Sequence, residues 1–332
     1  MASHLRGEPA MPMTSLGPGG PAVSRIGLGL AALGRPAYIT GGRARDLPDR
    51  SVAALRARTF AMLDAAYASG IRYVDAARSY GRAEEFLSEW LALPGHPGVV
   101  VGSKWGYRYT GEWRLDAAQH EVKEHSLAMF TAQAAETAAL LGDWLALYQV
   151  HSLTVESGLF GDTGLLTALG GLRDSGVLVG LTTSGPRQAD TLRRALGVQA
   201  GGRPLFGAAQ VTWNLLEPSV GPAAAEASAA GWAILVKEAL ANGRLAPAGD
   251  EAGPPPRLAA AAAARGVGED AIALAAALAN PWATVVLSGA VTAGQLRGNL
   301  AALTVGGLPP ELAELAEPPE VYWARRASRP WR

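Results

Sequence analysis

The sequence predicts a single-domain α/β protein, a (β/α)8 or TIM barrel, and three observations lead there. Eight short, β-rich apolar runs alternate with longer helix-patterned segments from about residue 25 to about residue 305. No linker-like stretch divides them, so the 332 residues read as one domain. An open doubly wound sheet would need a phosphate-binding turn after the first strand, and Gly27-Leu-Gly29-Leu-Ala-Ala-Leu-Gly34 does not supply it. Its last glycine comes two positions late for GxGxxG, and Arg35-Pro36 follows in place of an opening helix. Those glycines read as a tight turn out of the first strand.

Taken in order, residues 1–20 (MASHLRGEPAMPMTSLGPGG) form a Pro/Gly-rich, flexible leader. Residues 21–318 carry the barrel, with strands expected at 25–30, 72–75, 99–104, 145–151, 177–182, 207–212, 232–237 and 284–288. A helix is expected at 52–69, with Asp49 or Ser51 as N-cap and Gly70 as terminator. Another is expected at 127–141, between Ser126 and Gly142. Residues 319–332 form a C-terminal tail that either frays or folds back over the active-site face.

Composition narrows the function. Lys+Arg (29) and Asp+Glu (29) cancel, so no long-range field gathers nucleic acid or anionic lipid. With no cysteine and five histidines, thiolate chemistry is excluded and a metal site would need His and carboxylates. The first twenty residues lack a secretory apolar core, and no apolar run reaches the roughly 18 residues of a membrane span, which points to the cytoplasm. Only three lysines occur, Lys104, Lys123 and Lys237, so each draws notice for its amine.

In a barrel the active site lies at the C-terminal strand ends. Asp75 closes the second strand, Lys104 the third and His151 the fourth, while Tyr80 follows in Asp75-Ala-Ala-Arg-Ser-Tyr80-Gly81. Each alone has a plain structural role: a helix cap, a half-buried ring, a solvated strand-end charge, a core histidine. Together they make a proton donor. A phenol of pKa about 10 becomes a useful acid when a buried ammonium stabilises its phenolate. Asp75 would balance Lys104, and His151 would position a carbonyl oxygen against Tyr80.

These motifs, with Ser103-Lys104-Trp105-Gly106 and Val150-His151-Ser152, resemble the catalytic tetrad of the aldo-keto reductase superfamily. The likeness continues in Ile26-Gly-Leu-Gly29 at the first strand, Gln210-Val-Thr-Trp-Asn214 at the sixth, Leu240-Ala-Asn-Gly243 after the seventh, and Gly289-Ala290 with Gln295-Leu-x-x-Asn299 at the eighth. It covers roughly residues 20 to 305. The resemblance implies a TIM-barrel carbonyl reductase or alcohol dehydrogenase, acting on an aldehyde, ketone or aldose with a nicotinamide cofactor, NADP(H) ahead of NAD(H). Asp75, Tyr80, Lys104 and His151 would be catalytic, with Lys104 lowering the Tyr80 pKa. Gly29, Leu30, Thr182, Thr183, Gln210, Lys237, Leu240, Gly243, Gly289, Ala290, Gln295 and Asn299 would hold the cofactor.

Three departures stand out. Gly180-Leu-Thr182-Thr183-Ser184 replaces the usual Ser-Asn after the fifth strand, giving hydroxyls where an amide would offer two hydrogen-bonding groups. Lys237 takes the place of a stacking aromatic, leaving that part to Trp213 or another ring, with a Lys237–Glu238 salt bridge as its plain alternative. Arg297 is the only basic candidate for a 2′-phosphate in the eighth-strand segment. The ring-rich loop from Trp105 to Trp113 is expected to wall the substrate pocket, chiefly through Trp105 and Tyr107.

His120-Glu121-Val-Lys-Glu124-His125 is not HExxH: on a helix its imidazoles would sit about 140° apart. A solvated, charge-laced segment is expected there, with no metal. Two other functions stay open: a Schiff-base lyase or aldolase using Lys104 or Lys237, and a cofactor-binding regulatory subunit with little turnover.

Overall fold

The computed structural model describes residues 10–247 and 253–331. Parallel strands β1 (Ile26–Gly29), β2 (Tyr73–Asp75), β3 (Val100–Trp105), β4 (Leu145–Leu153), β5 (Leu178–Thr183), β6 (Ala208–Thr212), β7 (Ala233–Lys237) and β8 (Val285–Ser288) close into one barrel. Each pairs with its sequence neighbours, and β8 returns to β1 through Ser288 opposite Leu28. All eight fall on the expected runs, because β-branched and apolar residues alternate between two buried faces there. Outward residues such as Ile26, Leu28, Val74 and Val101 pack beneath the helices. Inward residues Tyr73, Leu147, Ala208, Leu235 and Val285 fill the lumen.

The surrounding helices are α1 (Val52–Ala68), α2 (Ala83–Leu91), α3 (Leu127–Leu141), α4 (Thr163–Asp174), α5 (Gln188–Leu196), α6 (Gly221–Ala229), α7 (Pro256–Ala263), α8 (Glu269–Leu278), α9 (Ala293–Leu300) and α10 (Pro319–Ala327). The expected caps form: Ser51 Oγ accepts from Ala54 N at 3.2 Å and Ser126 Oγ from Met129 N at 3.1 Å. Asp49, the other candidate, is not the cap: its Oδ1 accepts from Ser51 N at 2.8 Å in the turn before the helix. No described helix is long and apolar enough to cross a membrane.

Leader residues 1–9 lie outside the described residues. From Met13 the chain forms an antiparallel hairpin, Met13–Ser15 with Ala22–Ser24, whose Leu16 and Val23 join the lumen cluster around Tyr73. The hairpin stoppers the N-terminal end of the barrel. Inside, Gly102 admits no side chain, since a Cβ there would lie 2.0 Å from Tyr73 Oη.

The segment 120–125 is not helical, and it is solvated only in part: Lys123 is exposed, residues 121, 122, 124 and 125 are half-buried and His120 is buried. Glu121–Lys123 pairs antiparallel with Tyr107–Tyr109 in a hairpin beyond β3. His120 is buried and stacked on Trp331, with ring centroids 4.6 Å apart. His125 Nε2 lies 2.8 Å from the carbonyl oxygen of His151. His120 and His125 flank the short ribbon and are held by separate contacts, Trp331 for one and the His151 carbonyl for the other, which a helical wheel misreads.

Candidate active site

Asp75 and Lys104 end neighbouring strands pointing into the barrel mouth, 2% and 1% exposed. Lys104 Nζ pairs with Asp75 Oδ2 and donates to Ala76 O at 2.8 Å, while Gln210 Nε2 donates to Asp75 Oδ1 at 2.9 Å. Neither charge is left without a partner, which is the condition for burying the pair. Backbone contacts fix the turn that carries Tyr80: Arg78 N donates to Lys104 O at 3.1 Å and Tyr80 N to Ala77 O at 3.0 Å. Gly34 packs directly beneath, where a Cβ would come 2.3 Å from Tyr80 O, so the glycine of the first-strand turn serves close approach to this loop.

The Lys104 ammonium lies 4.8 Å from the Tyr80 ring centroid, and the His151 ring meets Tyr80 edge-on at 5.6 Å. His151 owes its direction to an irregularity in the β4–β5 register between Val150 and Leu153, with Ser152 at φ +52°. Such a bulge re-aims a strand-end side chain. Ser79 Oγ lies 3.4 Å from His151 Nδ1, and the Tyr107 ring 5.0 Å from the imidazole. The four residues named from the tetrad motifs thus meet at one end of the barrel.

Burial raises the Tyr80 pKa well above the ordinary tyrosine value, Asp75 adds to the rise, and Arg35 opposes it. The phenol is therefore in its proton-donating form. The Lys104 charge is itself balanced by Asp75 and bound to Ala76 O. Burial also lowers the Lys104 pKa, against Asp75. His151 is pushed well below the usual histidine range by burial, then by Lys104 and Arg35, so its imidazole is neutral.

A cavity of about 560 Å3 opens beside Tyr80 and Asp75. Of the residues read as cofactor ligands, Gly29, Gln210, Lys237, Leu240, Gly243, Gly289, Ala290, Gln295 and Asn299 line it. Glycines give it bare backbone walls, and a Cβ at Gly289 would meet nothing within 4 Å. The first turn of α9 also faces it through Thr292 and Gly294. Such walls and a helix N-terminus suit a phosphate-bearing ligand, and the volume lies within the range of cofactor sites.

Other expected ligands do not reach the cavity. Leu30 is fully buried and contributes its backbone N–H to Asp75 O at 2.9 Å. Thr182 spends its hydroxyl on Ser152 N at 2.7 Å, bracing the bulge under His151, and Thr183 donates to Gln188 Oε1 at 3.1 Å. Trp105, expected in the substrate wall, is fully buried against Phe130 on the helix side, because it follows the inward Lys104 by one residue. Arg297 is exposed and lies outside the cavity wall. Trp213 packs against Trp282 and is likewise absent from the wall.

Lys237 Nζ donates to Thr212 Oγ1 at 2.6 Å and approaches Glu238 at 3.6 Å. Burial brings its pKa down to about 8, against Glu238. Glu238 itself is gripped by Arg326 of α10, through Nη2 at 2.6 Å and Nε at 2.8 Å. Burial would raise the Glu238 carboxyl, but Arg326 and Lys237 hold it down to about 2.

Several wall residues carried no signal in the sequence. Tyr38 comes from the irregular part of the connection between β1 and α1, Arg43 and Asp46 from a one-turn helix within it (Arg43–Asp46), and Asp270 from the first turn of α8. Asp270 accepts from the Asn299 amide at 2.8 Å once that amide is oriented to also accept from Ser288 Oγ at 2.7 Å. The tail crosses this rim: Arg329 donates to Ile39 O and Asn242 O, each at 3.0 Å.

Compared with known proteins, residues 25–315 match the model of the Aldo/keto reductase family. No curated protein matches. Among solved structures, an aldo-keto reductase from Pseudomonas aeruginosa superposes with a TM-score of 0.65 at 23% identity, over 92% of this chain and 99% of that one. The holo form of aldo-keto reductase AKR11C1 from Bacillus halodurans superposes with a TM-score of 0.68 at 18% identity, over 93% and 97% of the two chains. At these identities the likeness is one of fold.

Proposed function

The chain belongs to the aldo/keto reductase family, and from that premise we propose that it interconverts an aldehyde or ketone and the corresponding alcohol with a nicotinamide dinucleotide. The bound nicotinamide supplies or accepts the hydride. Tyr80, kept protonated by burial, gives its proton to the oxygen of a carbonyl being reduced and recovers it in alcohol oxidation. Lys104, fixed by Asp75, lies near enough to the ring to favour the phenolate left behind. His151, neutral and steered by the bulge, hydrogen-bonds the same oxygen and orients it. The dinucleotide would lie along Gly29, Gly289 and the first turn of α9, with Gln295 and Asn299 beside it.

The observation that carries this reading is the buried Lys104–Asp75 pair beneath the Tyr80 ring on the wall of a cofactor-sized cavity. For the nucleotide, the expected preference for NADP(H) rested on the family resemblance, with Arg297 as the only basic candidate in the eighth-strand segment, and Arg297 is outside the wall. Arg43 and Arg45 are on it, but Arg43 is bound to the carbonyl oxygens of Pro36, Ala32 and Arg35, and Arg45 is paired with Asp46; Asp270 is on it as well, and a carboxylate receives a ribose 2′-hydroxyl better than a 2′-phosphate. This favours NAD(H). Titration of tryptophan fluorescence with NADH and NADPH, followed by a carbonyl panel on wild type and Tyr80→Phe, tests both points. Tighter NADH binding and turnover lost by at least about 100-fold in Tyr80→Phe are expected; absence of binding by either nucleotide would overturn the assignment.

One observation keeps the lyase alternative in view: the Lys237 amine lines the cavity with a pKa of about 8. Borohydride trapping with a ketone discriminates, since the reductase reading expects no labelled Lys237.

A further inference from the structure

Arg35, in the turn after β1, is 2% exposed and is not one of the tetrad. Its guanidinium carbon lies 5.0 Å from the Tyr80 ring centroid, 4.7 Å from that of Tyr38 and 4.7 Å from that of Trp331. Its nitrogens donate to Ser79 O at 3.1 Å, Ala31 O at 3.2 Å and Glu121 Oε2 at 2.8 Å. The Ser79 bond ties the cation to the residue before Tyr80, so position and charge are delivered together. Rings on three sides keep water from the guanidinium, and an ion held in a dry site acts more strongly over 5 Å than one in solvent.

We infer that Arg35 is a second cation for Tyr80, a positioning residue that stabilises the phenolate while Lys104 is occupied by Asp75. This rests on Tyr80 being the acid/base of the proposed reaction. The groups around the phenol frame the effect. Lys104 on β3, Asp75 on β2 and His151 on β4 face it from the barrel; Tyr38 and Arg35 face it from the β1–α1 turn, Glu121 from the hairpin and Glu238 from beyond β7. Asp75, Glu121 and Glu238 oppose ionisation. Arg35 acts in the other direction, and more strongly than its own partner Glu121.

A merely structural Arg35 and a phenolate-stabilising one differ in what they do to pH dependence. Alcohol oxidation needs the phenolate, so its kcat/KM rises with pH through the Tyr80 pKa. Arg35→Met should move that rise upward by about one unit, a tenfold loss at fixed pH below it. Arg35→Lys, keeping the charge and losing the fork, should leave the rise near the wild-type position while lowering its plateau. Without cofactor, tyrosinate absorbance, taken as each protein minus its Tyr80→Phe counterpart, should shift in the same order.

Should Arg35→Met fail to fold with Glu121 unpaired, Arg35→Met/Glu121→Gln removes both charges and should still shift upward, by less. A uniform rate loss with an unmoved pH profile in the Met variants would overturn the inference and leave Arg35 structural. Absence of Tyr80-dependent turnover in the wild type would instead sink the reductase reading itself.

Discussion

Glu238 shows how much a single side chain settles at this site. It sits at φ +57°, a conformation that non-glycine residues adopt at a cost, with its carboxylate on Arg326 and its carbonyl oxygen accepting from Asn214 Nδ2 at 3.0 Å. Its carboxyl is held down to about 2, against about 4.3 in an unfolded chain. A depressed acid contributes stability that is present above the unfolded value and lost as pH falls through the folded one. The window is therefore about pH 4.3 to 2, and the contribution roughly 3 kcal/mol. Urea unfolding at stepped pH should show Glu238→Gln losing less stability than wild type across that window, by about 2–3 kcal/mol. Equal slopes would mean that the pair does not carry the acid sensitivity. Sequence adjacency suggested Lys237 as the partner of Glu238; the dominant one lies 88 residues away, a pairing that no local pattern encodes.

Elements were legible where a period was. All barrel strands and the capped helices α1 and α3 follow from alternation and from Ser51 and Ser126, as do Asp75, Lys104 and His151 at strand ends. Tyr80 was legible through its motif. What stayed hidden depends on contacts between distant loops: the hairpin through Glu121–Lys123, the β1–α1 turn with Arg35 and Tyr38, and the diversion of the Thr182 hydroxyl to the β4 bulge. The tail belongs with these. Beyond α10, Arg329 spans Ile39 O and Asn242 O, the two loops that already meet through Gly41 N and Asn242 O at 3.3 Å, and Trp331 stacks on His120. Removing the chain after Ser328 deletes two carbonyl contacts worth about 1 kcal/mol each and frees those loops. NADH should then dissociate about tenfold faster in stopped-flow fluorescence, with the Glu238–Arg326 pair intact. An unchanged rate would show that the loops hold together without the tail.

At the scale of the whole molecule the barrel is a container closed at both ends, by the leader hairpin below and the tail above, and the two closures do different work. Leu16 is 2% exposed and belongs to the lumen cluster with Tyr73, Leu147, Leu235 and Val285. Loss of its side chain leaves a void against packed strands. Leu16→Ala should cost about 3 kcal/mol and lower the melting temperature by roughly 4–5 °C. No hairpin residue lines the cavity, so NADH affinity at 25 °C should stay within about twofold of wild type, the protein remaining folded. Truncation after Ser328 removes rim contacts at the opposite end, the Trp331 ring over Arg35 among them, and should change the melting temperature little while weakening NADH. Calorimetry and nucleotide titration on both variants check this as a pair: stability should follow the lower closure and affinity the upper. If each variant lost both properties in proportion, the ends would be coupled through the barrel wall, and the separation of a stabilising face from a functional one, which (β/α)8 geometry leads one to expect, would not hold for this chain.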